Sequence, residues 1–215
     1  MDMGEETLKK EADFKERFFD YPPNNKADWA WVQHMLASAK ENGRVGLVVD
    51  NGCLFRGGAE RTIRSKVIEK DWIECVILTP EKLFYNTGAP GAIISFRKNK
   101  PQERKNKILF INASNEYIPH PSIRRLNTLS KENINKIIEA YRKFTDITGF
   151  SRAVDLSEIR NNDYSLNVTL YVMPVEEREQ IDISEEFQEL LKIEEERKKV
   201  TENLKQIIEQ IRGVI

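Results

Sequence analysis

Two short apolar runs, each preceded by a helical pattern, constrain the fold of this chain most strongly. Arg44–Val49 contains Val-Gly-Leu-Val-Val and ends at Asn51-Gly52, and the equally apolar Ile73–Leu78 ends before Pro80. A continuous apolar run bounded by turn residues is typical of a strand that is buried on both faces, as in a parallel sheet. We therefore predict an α/β fold in which helical crossovers join parallel strands.

The predicted helices are marked by apolar residues spaced three and four apart. The first begins at Asp28, a candidate N-cap, and ends at Asn42-Gly43. The second covers roughly residues 59–70, after the Gly57-Gly58 turn, and another covers roughly residues 130–147. The order of helix, strand, helix and strand supports the α/β assignment.

A third apolar run, Gly91–Phe96, is expected to run antiparallel to the second. About ten residues without a helical pattern separate the two runs, whereas a parallel return usually needs a dozen or more. A fourth strand is predicted at Lys107–Ala113, and residues 148–183 show short mixed segments.

The last segment, Ser184–Ile215, has the pattern of a coiled-coil-like helix. Its apolar residues alternate at spacings of three and four, and Arg197 is the polar interruption of this seam. Such a seam indicates burial, either against the chain's own domain or, as we favour, against a partner helix. The seam consists of Leu190, Ile193, Val200, Leu204, Ile207, Ile211 and Val214.

The composition excludes several classes of protein. The chain has 34 basic and 35 acidic side chains, and 40% of its residues are hydrophobic, so neither a disordered tail nor a strongly basic coat protein fits. Cys53 and Cys75 lie beside apolar runs and are expected to be buried, reduced thiols. With no signal peptide and no membrane-length apolar run, we expect a cytoplasmic protein without membrane contact.

Three segments are candidates for binding, and each has a plainer alternative. Phe84 and Tyr85 lie in the loop 81–90, where α/β sheets bind ligands, but they could equally anchor that loop over the core. The Gly57-Gly58 turn could offer amides to a phosphate, or it could be a tight turn that lets the helix pack on the sheet. Residues 97–107 could contact a nucleic-acid backbone or form a solvated hairpin tip. The basic residues considered there are Arg97, Lys98, Lys100, Arg104 and Lys105.

No catalytic or metal-binding set emerges from the residues alone. The two histidines lie far apart in sequence, and no Cys-x-x-Cys is present. A Ser-His-Asp or Cys-His arrangement cannot be assembled, and no pair of carboxylates stands out.

Several longer segments closely resemble the modification (M) subunit of type I restriction-modification systems. These are 27–34 (Ala-Asp-Trp-Ala-Trp-Val-Gln-His), 43–60 (Gly-Arg-Val-Gly-Leu-Val-Val-Asp-Asn-Gly-Cys-Leu-Phe-Arg-Gly-Gly-Ala-Glu) and 73–90 (Ile-Glu-Cys-Val-Ile-Leu-Thr-Pro-Glu-Lys-Leu-Phe-Tyr-Asn-Thr-Gly-Ala-Pro). The resemblance continues through 108–113 and 162–167 (Asn-Asp-Tyr-Ser-Leu-Asn). Members of this family are adenine-N6 DNA methyltransferases that use S-adenosylmethionine.

The resemblance implies the second half of a Rossmann-like methyltransferase sheet, followed by a helical carboxyl-terminal tail. Residues 44–50 resemble the fifth strand of that sheet, 73–79 the sixth, and 91–98 the antiparallel seventh that lies between them. It implies a division into the catalytic-domain half at 1–120, a helical and mixed extension at 121–183, and an assembly helix at 184–215.

Two family motifs are missing. Neither the glycine-rich cofactor turn nor Asn-Pro-Pro-Phe occurs in the sequence. The chain therefore resembles the family's carboxyl-terminal half, beginning just past the catalytic motif. S-adenosylmethionine is implied for the complete enzyme, whereas this chain alone is expected neither to bind it tightly nor to methylate DNA. No catalytic residue is assigned here.

The resemblance also implies roles for the candidate residues. Phe84 and Tyr85 would stack on a flipped adenine, since chemistry on a base requires its extrusion from the duplex. Arg56, Gly57 and Gly58 are a second choice for the substrate or DNA side. DNA contact would be concentrated around 97–107.

The implied partners are DNA, a specificity (S) subunit, an amino-terminal M-subunit half and, in the full complex, the restriction subunit. The S subunit would dock on the terminal helix through Leu190, Ile193, Val200, Leu204, Ile207 and Ile211. The alternative is a non-enzymatic assembly module that uses the same helix to bind a partner.

Overall fold

The computed structural model describes residues 16–23, 25–174 and 183–212. The chain divides into two compact units, Met1–Val175 and Glu176–Ile215. The helices of the first unit are α1 (Asp28–Ser38), α2 (Gly58–Glu69), α3 (Lys131–Lys143), α4 (Leu156–Asn161) and α5 (Val168–Tyr171). Its strands are β1 (Arg44–Asp50), β2 (Ile73–Leu78), β3 (Gly91–Arg97), β4 (Lys107–Asn112), β5 (Ile118–Pro119), β6 (Asn127–Thr128) and β7 (Ser151–Asp155).

Five strands form one mixed sheet in the order β1-β3-β2-β4-β7. Strand β3 is antiparallel to both of its neighbours, β1 and β2, which confirms the prediction made from the short connection. Strands β2 and β4 are parallel, and β7 is antiparallel to β4. Strands β1, β2 and β4 therefore run in the same direction and end at the same edge of the sheet.

The predicted burial is confirmed for β2 but is wrong for β1. Almost every residue of β2 is buried, whereas β1 alternates between exposed and half-buried residues. Among the described residues, strand β1 is the edge of the sheet and pairs on one side only, with β3. Val48 is 59% exposed, because no described element covers its face at this position.

Helices pack on both faces of the sheet. On one face, α1 and α2 contribute Trp29, Ile63 and Val67 to a core shared with the sheet residues Val76 and Phe110. On the other face, Cys75, Leu109 and Ile111 pack with α3 and with Phe150. Both cysteines are buried and free, as expected, and burial raises the pKa of Cys53 to about 12.

The helix ends follow local chemistry, with one correction. Asp28 is not the N-cap of α1, because Ala27 holds that position and the Asp28 carboxylate instead binds Arg56. Helix α3 begins with a capping box between Ser130 and Asn133, which satisfies otherwise free backbone amides.

Glu74 of β2 is a buried charge that links three elements. Its side chain is fully buried and pairs with Arg97 (3.5 Å) and Arg104 (3.2 Å), and it accepts a hydrogen bond from Tyr141 of α3. The Arg104 guanidinium also lies 4.8 Å from the centre of the Phe144 ring. A buried carboxylate is tolerated only with such compensation, so Glu74 fixes α3 and the β3–β4 connection against the sheet.

Segment 162–167, which carries part of the family resemblance, closes the core over α2. Asp163 and Tyr164 both adopt the left-handed conformation, and the Tyr164 carbonyl accepts a hydrogen bond from the buried Arg64 (2.8 Å). Burial lowers the pKa of Arg64 to about 10. This segment therefore has a structural role, because it satisfies a buried guanidinium.

The second unit contains helix α6 (Ile183–Arg212). The seam side chains of Leu190, Ile193, Val200 and Leu204 are each more than half exposed. The side chains of Ile207 and Ile211 lie outside the described part of the chain. No helix in the part that the structure describes is long and apolar enough to cross a membrane.

The predicted boundary between residues 120 and 121 falls inside the first unit, because β7 pairs with β4 in the same sheet. The boundary expected before residue 184 lies close to the division after Val175.

We predict that Glu74→Gln lowers the free energy of unfolding by about 2–3 kcal/mol, because Arg97 and Arg104 lose their carboxylate partner. Urea unfolding followed by circular dichroism measures this. The control is Glu139→Gln, which breaks only an exposed pair with Lys143 and should leave the unfolding midpoint unchanged. Equal effects of the two substitutions would contradict the assigned role of Glu74.

Candidate functional site

The loops that follow β1, β2 and β4 gather at one edge of the sheet. Residues 51–57 follow β1, 79–90 follow β2, and 113–126 follow β4 up to β6. The carboxyl ends of parallel strands are where open α/β sheets bind ligands. This edge is therefore the place to look for a site in the first unit.

The loop 79–90 separates the two candidate aromatic residues. The Phe84 ring lies so close to Gly91 that a Cβ added to Gly91 would meet Phe84 Cε2 at 2.6 Å. Phe84 thus anchors the loop on the first residue of β3, which is the plainer of its two expected roles. Tyr85, in contrast, is 71% exposed and free to receive a ring against its face.

The small β5–β6 ribbon holds this loop in place. The Asn127 backbone N–H donates to the Lys82 carbonyl (2.8 Å), and Asn127 Nδ2 donates to the Glu81 carbonyl (2.9 Å). The turn between β5 and β6 is shaped by His120 Nδ1, which accepts hydrogen bonds from the amides of Ser122 and Ile123 (3.1 Å each). Two loops separated by some forty residues in sequence thereby form two walls of one site.

Between these walls lies a cleft of about 910 Å³. It combines an exposed aromatic ring with three cations, which is a composition suited to nucleic acid. Its lining residues are Lys82, Tyr85, Asn86, Thr87, Gly88, Ile123, Arg124, Arg125 and Leu126. Sequence reasoning missed Arg124 and Arg125, because the only local signal is an adjacent arginine pair in a polar loop.

The second predicted group, around Arg56, is held by carboxylates. Arg56 binds Asp28 (2.8 Å), Asp50 (2.6 Å) and Glu60 (2.6 Å). The hydrogen bond with Glu60, together with that to Asp50, raises the pKa of Arg56 above its ordinary value. Three carboxylates around one guanidinium leave the cluster net negative, so it is poorly suited to contact a phosphate.

The glycines beside Arg56 do not mediate close packing. A Cβ added to Gly57 or Gly58 would meet no atom within 4 Å, so a close contact does not require glycine at either position. Gly58 has a φ of +64°, a left-handed conformation that favours glycine in the turn before α2. Their role on the substrate side stays a prediction.

Four of the five basic residues predicted to contact DNA make contacts within the chain. Arg97 and Arg104 pair with Glu74, and Lys98 Nζ donates to the Ala39 carbonyl (2.8 Å). Lys100 is 3% exposed and pairs with Asp71, so its ammonium group cannot reach a phosphate without breaking that pair. Lys105 is exposed. DNA binding by this stretch stays a prediction, with much of its charge compensated internally.

Within residues 16–23, 25–174 and 183–212, no group of three or more His, Cys, Asp or Glu side chains could hold a metal ion. The cleft itself is thus lined by cations, polar groups and the exposed ring of Tyr85.

Comparison with known proteins gives a consistent result. The profile of the family described as N-6 DNA Methylase matches residues 2–180. The type I restriction enzyme MjaVII methylase subunit of Methanocaldococcus jannaschii is 52% identical over 99% of this chain. A type I restriction enzyme methylase subunit of Mycoplasma pneumoniae, MpnII, is 32% identical over 88% of the chain. The chain spans only 37% and 34% of the lengths of these two relatives.

Solved structures agree on the fold. A type I restriction-modification methyltransferase subunit from Streptococcus thermophilus superposes with a TM-score of 0.70 at 33% identity, over 79% of this chain and 35% of that one. The EcoKI M protein superposes with a TM-score of 0.54 at 16% identity, over 69% of this chain and 38% of that one. The second match supports the fold alone.

The Arg56 cluster predicts a pH dependence. Burial alone would raise the pKa of Asp50, but the hydrogen bonds from Arg56 and the Gly52 amide, together with the charge of Arg56, hold that pKa below its ordinary value of 3.8. A carboxyl group with a lowered pKa in the folded state contributes stability above its ordinary pKa, and that stability is lost as the pH falls through the folded value.

We therefore expect the unfolding free energy to fall below about pH 3.8, and less steeply in Asp50→Asn than in the parent. The difference should stay below about 1 kcal/mol, because the pair is partly exposed. Urea unfolding at a series of pH values measures it. Asp155→Asn, which removes an exposed carboxylate, should follow the parent profile; identical profiles for all three proteins would refute the role of Arg56.

Proposed function

The chain belongs to the N-6 DNA methylase family, and from this premise we propose that it is the carboxyl-terminal portion of a type I modification subunit. The complete enzyme would transfer a methyl group from S-adenosylmethionine to adenine N6 in DNA. It would act in the cytoplasm together with a specificity subunit, and a restriction subunit would join the full complex. The chain's short span of its relatives supports this proposal.

The observation that carries the proposal is the open edge of the sheet at β1. In the described residues, no strand pairs with β1 on the side away from β3, and Val48 is exposed on its uncovered face. An unpaired edge with exposed apolar side chains is a liability in a complete soluble sheet. A further strand and its covering helix, supplied by an amino-terminal portion, would satisfy both the backbone and the apolar face.

The roles that we propose for this chain and for the amino-terminal portion follow from the motifs that this chain contains and lacks. The sequence has no Asn-Pro-Pro-Phe and no glycine-rich cofactor turn. The described residues around the Gly57-Gly58 turn form no enclosed site for S-adenosylmethionine, because the space beside both glycines is open. The Asn side-chain oxygen and the Pro carbonyl that accept hydrogen bonds from the adenine amine would come from the amino-terminal portion.

This chain would contribute to substrate handling through its carboxyl edge. Tyr85 offers an exposed ring on which an extruded adenine could stack, and Phe84 holds the loop beneath it. Arg56, Gly57 and Gly58 follow β1 at the same edge and are a second proposed contact with the substrate or the DNA.

Helix α6 is proposed to bind the specificity subunit. Its seam presents apolar side chains that are more than half exposed in this unit, which is the arrangement that a partner helix would bury. A non-enzymatic assembly module is the second candidate, favoured by the same helix and by the missing motifs. The two candidates differ in whether methylation can be restored.

The central experiment is reconstitution. The chain is mixed with the amino-terminal portion of an M subunit that carries the cofactor turn and Asn-Pro-Pro-Phe, together with a specificity subunit, and transfer of tritiated methyl groups to DNA adenine is measured. We expect no turnover by either portion alone and clear turnover by the mixture. The matched control changes the Asn of Asn-Pro-Pro-Phe to Ala.

Robust methylation by this chain alone would contradict the proposed division. A stable but inactive mixture would favour the assembly module.

Deletion of residues 184–215 should abolish co-purification with the specificity subunit, because it removes the whole seam. A finer variant replaces Leu190, Ile193, Val200 and Leu204 with Asn and should weaken binding at least about tenfold. The control changes Glu195 and Lys199, an exposed pair on the opposite face of α6, to Gln. Circular dichroism verifies that the helix persists in the substituted variants. Unchanged co-purification after the deletion would contradict the proposed role of α6.

A further inference from the structure

We propose that the cleft between residues 82–88 and 120–126 binds a DNA strand, with Arg124 and Arg125 on its phosphates and Tyr85 stacked on one base. This inference rests on the proposed function and names a contact surface for its substrate.

The first argument is uncompensated charge. Arg124, Arg125 and Lys82 are exposed, and in residues 16–23, 25–174 and 183–212 no carboxylate forms an ion pair with them. Arg56, which follows β1 at the same edge of the sheet, is instead held by three carboxylates. Positive charge left without a partner attracts phosphates, and contacts of this kind dominate the affinity of proteins for nucleic acid.

The second argument is the arrangement of the charges around an aromatic ring. Tyr85 is the aromatic side chain that lines the cleft, and Ile123 and Leu126 supply apolar contacts. Cationic grooves with exposed rings are how proteins bind single strands without reading their sequence. An acidic peptide would use the cations but not the face of the ring, so the composition favours a nucleic-acid strand.

The third argument is that the cleft is held in shape before any ligand arrives. The Lys82 and Glu81 carbonyls both accept hydrogen bonds from Asn127, which joins the two walls directly. The backbone amide of His120 donates to the Leu126 carbonyl (2.9 Å) and closes the turn that carries the arginines. A site with fixed walls loses little conformational entropy when it binds.

Fluorescence anisotropy of the full chain with a labelled single strand of about 20 nucleotides tests the proposal. Arg124→Gln with Arg125→Gln should weaken binding and reduce the slope of log K against log salt by about 1.4, or about 0.7 for each phosphate contact. The control, Lys131→Gln with Lys143→Gln, removes the same charge from α3 and should leave the slope unchanged.

The stacking contact is tested separately. Tyr85→Ala should weaken binding about tenfold without changing the salt slope, whereas Tyr85→Phe keeps the ring and should bind like the parent. Binding by Tyr85→Ala that equals that of the parent would overturn the stacking part of the proposal.

The proposal as a whole is overturned if the unaltered chain does not bind the strand, if the arginine variant binds like the control, or if an acidic peptide of equal charge binds more tightly than the strand. The reconstituted enzyme separates this proposal from the proposed function. If it methylates DNA and the arginine variant leaves the KM for DNA unchanged, DNA binding in the cleft is contradicted and the proposed function is supported. If it is inactive while the variants weaken strand binding as expected, the proposed function is contradicted and DNA binding in the cleft is supported.

Discussion

The short connection between β2 and β3 is the constraint on which the rest of the structure depends. Thr79–Pro90 contains no helix that could carry the chain back across the sheet, so the chain reverses and β3 pairs antiparallel with β2. Because β3 also pairs with β1, it separates two strands that run in the same direction. The connection itself remains at the carboxyl edge of the sheet, where it positions Tyr85 beside the ribbon that carries Arg124 and Arg125.

The charged side chains of this nearly neutral protein have two different roles. Most of the basic residues that stand out in the sequence stabilise the fold, as Arg104 does with Glu74 and Lys100 with Asp71. Such pairs compensate carboxylates that are buried or partly buried, and they connect loops to the sheet. The arginines at 124 and 125 differ because they are exposed and lack a carboxylate partner in the described part of the chain. Charge density along the sequence therefore does not show which charges remain uncompensated in the folded chain.

The order of the elements could be predicted from the sequence, but their surroundings could not. The apolar run of β2 and the reversal into β3 follow from local pattern and loop length. Burial of β1 depends on whether a neighbour pairs with its outer edge, and the run Val-Gly-Leu-Val-Val has the same pattern with or without one. Phe84 and Tyr85 are adjacent and chemically similar, yet only the contact with Gly91 separates an anchor from an exposed ring. The cleft depends on Asn127 joining loops that are distant in sequence, which no local motif reveals.

Hydrogen–deuterium exchange at β1 tests the central claim, that this sheet is one portion of a larger one, most directly. The amides of Arg44–Asp50 that face away from β3 should exchange rapidly in this chain alone, because nothing described pairs with them. When an amino-terminal M-subunit portion is added, the account predicts that these amides become protected while those of β2 change little. Amides on the outer side of β1 that are already protected in the isolated chain, or that still exchange rapidly in a stable complex, would contradict it.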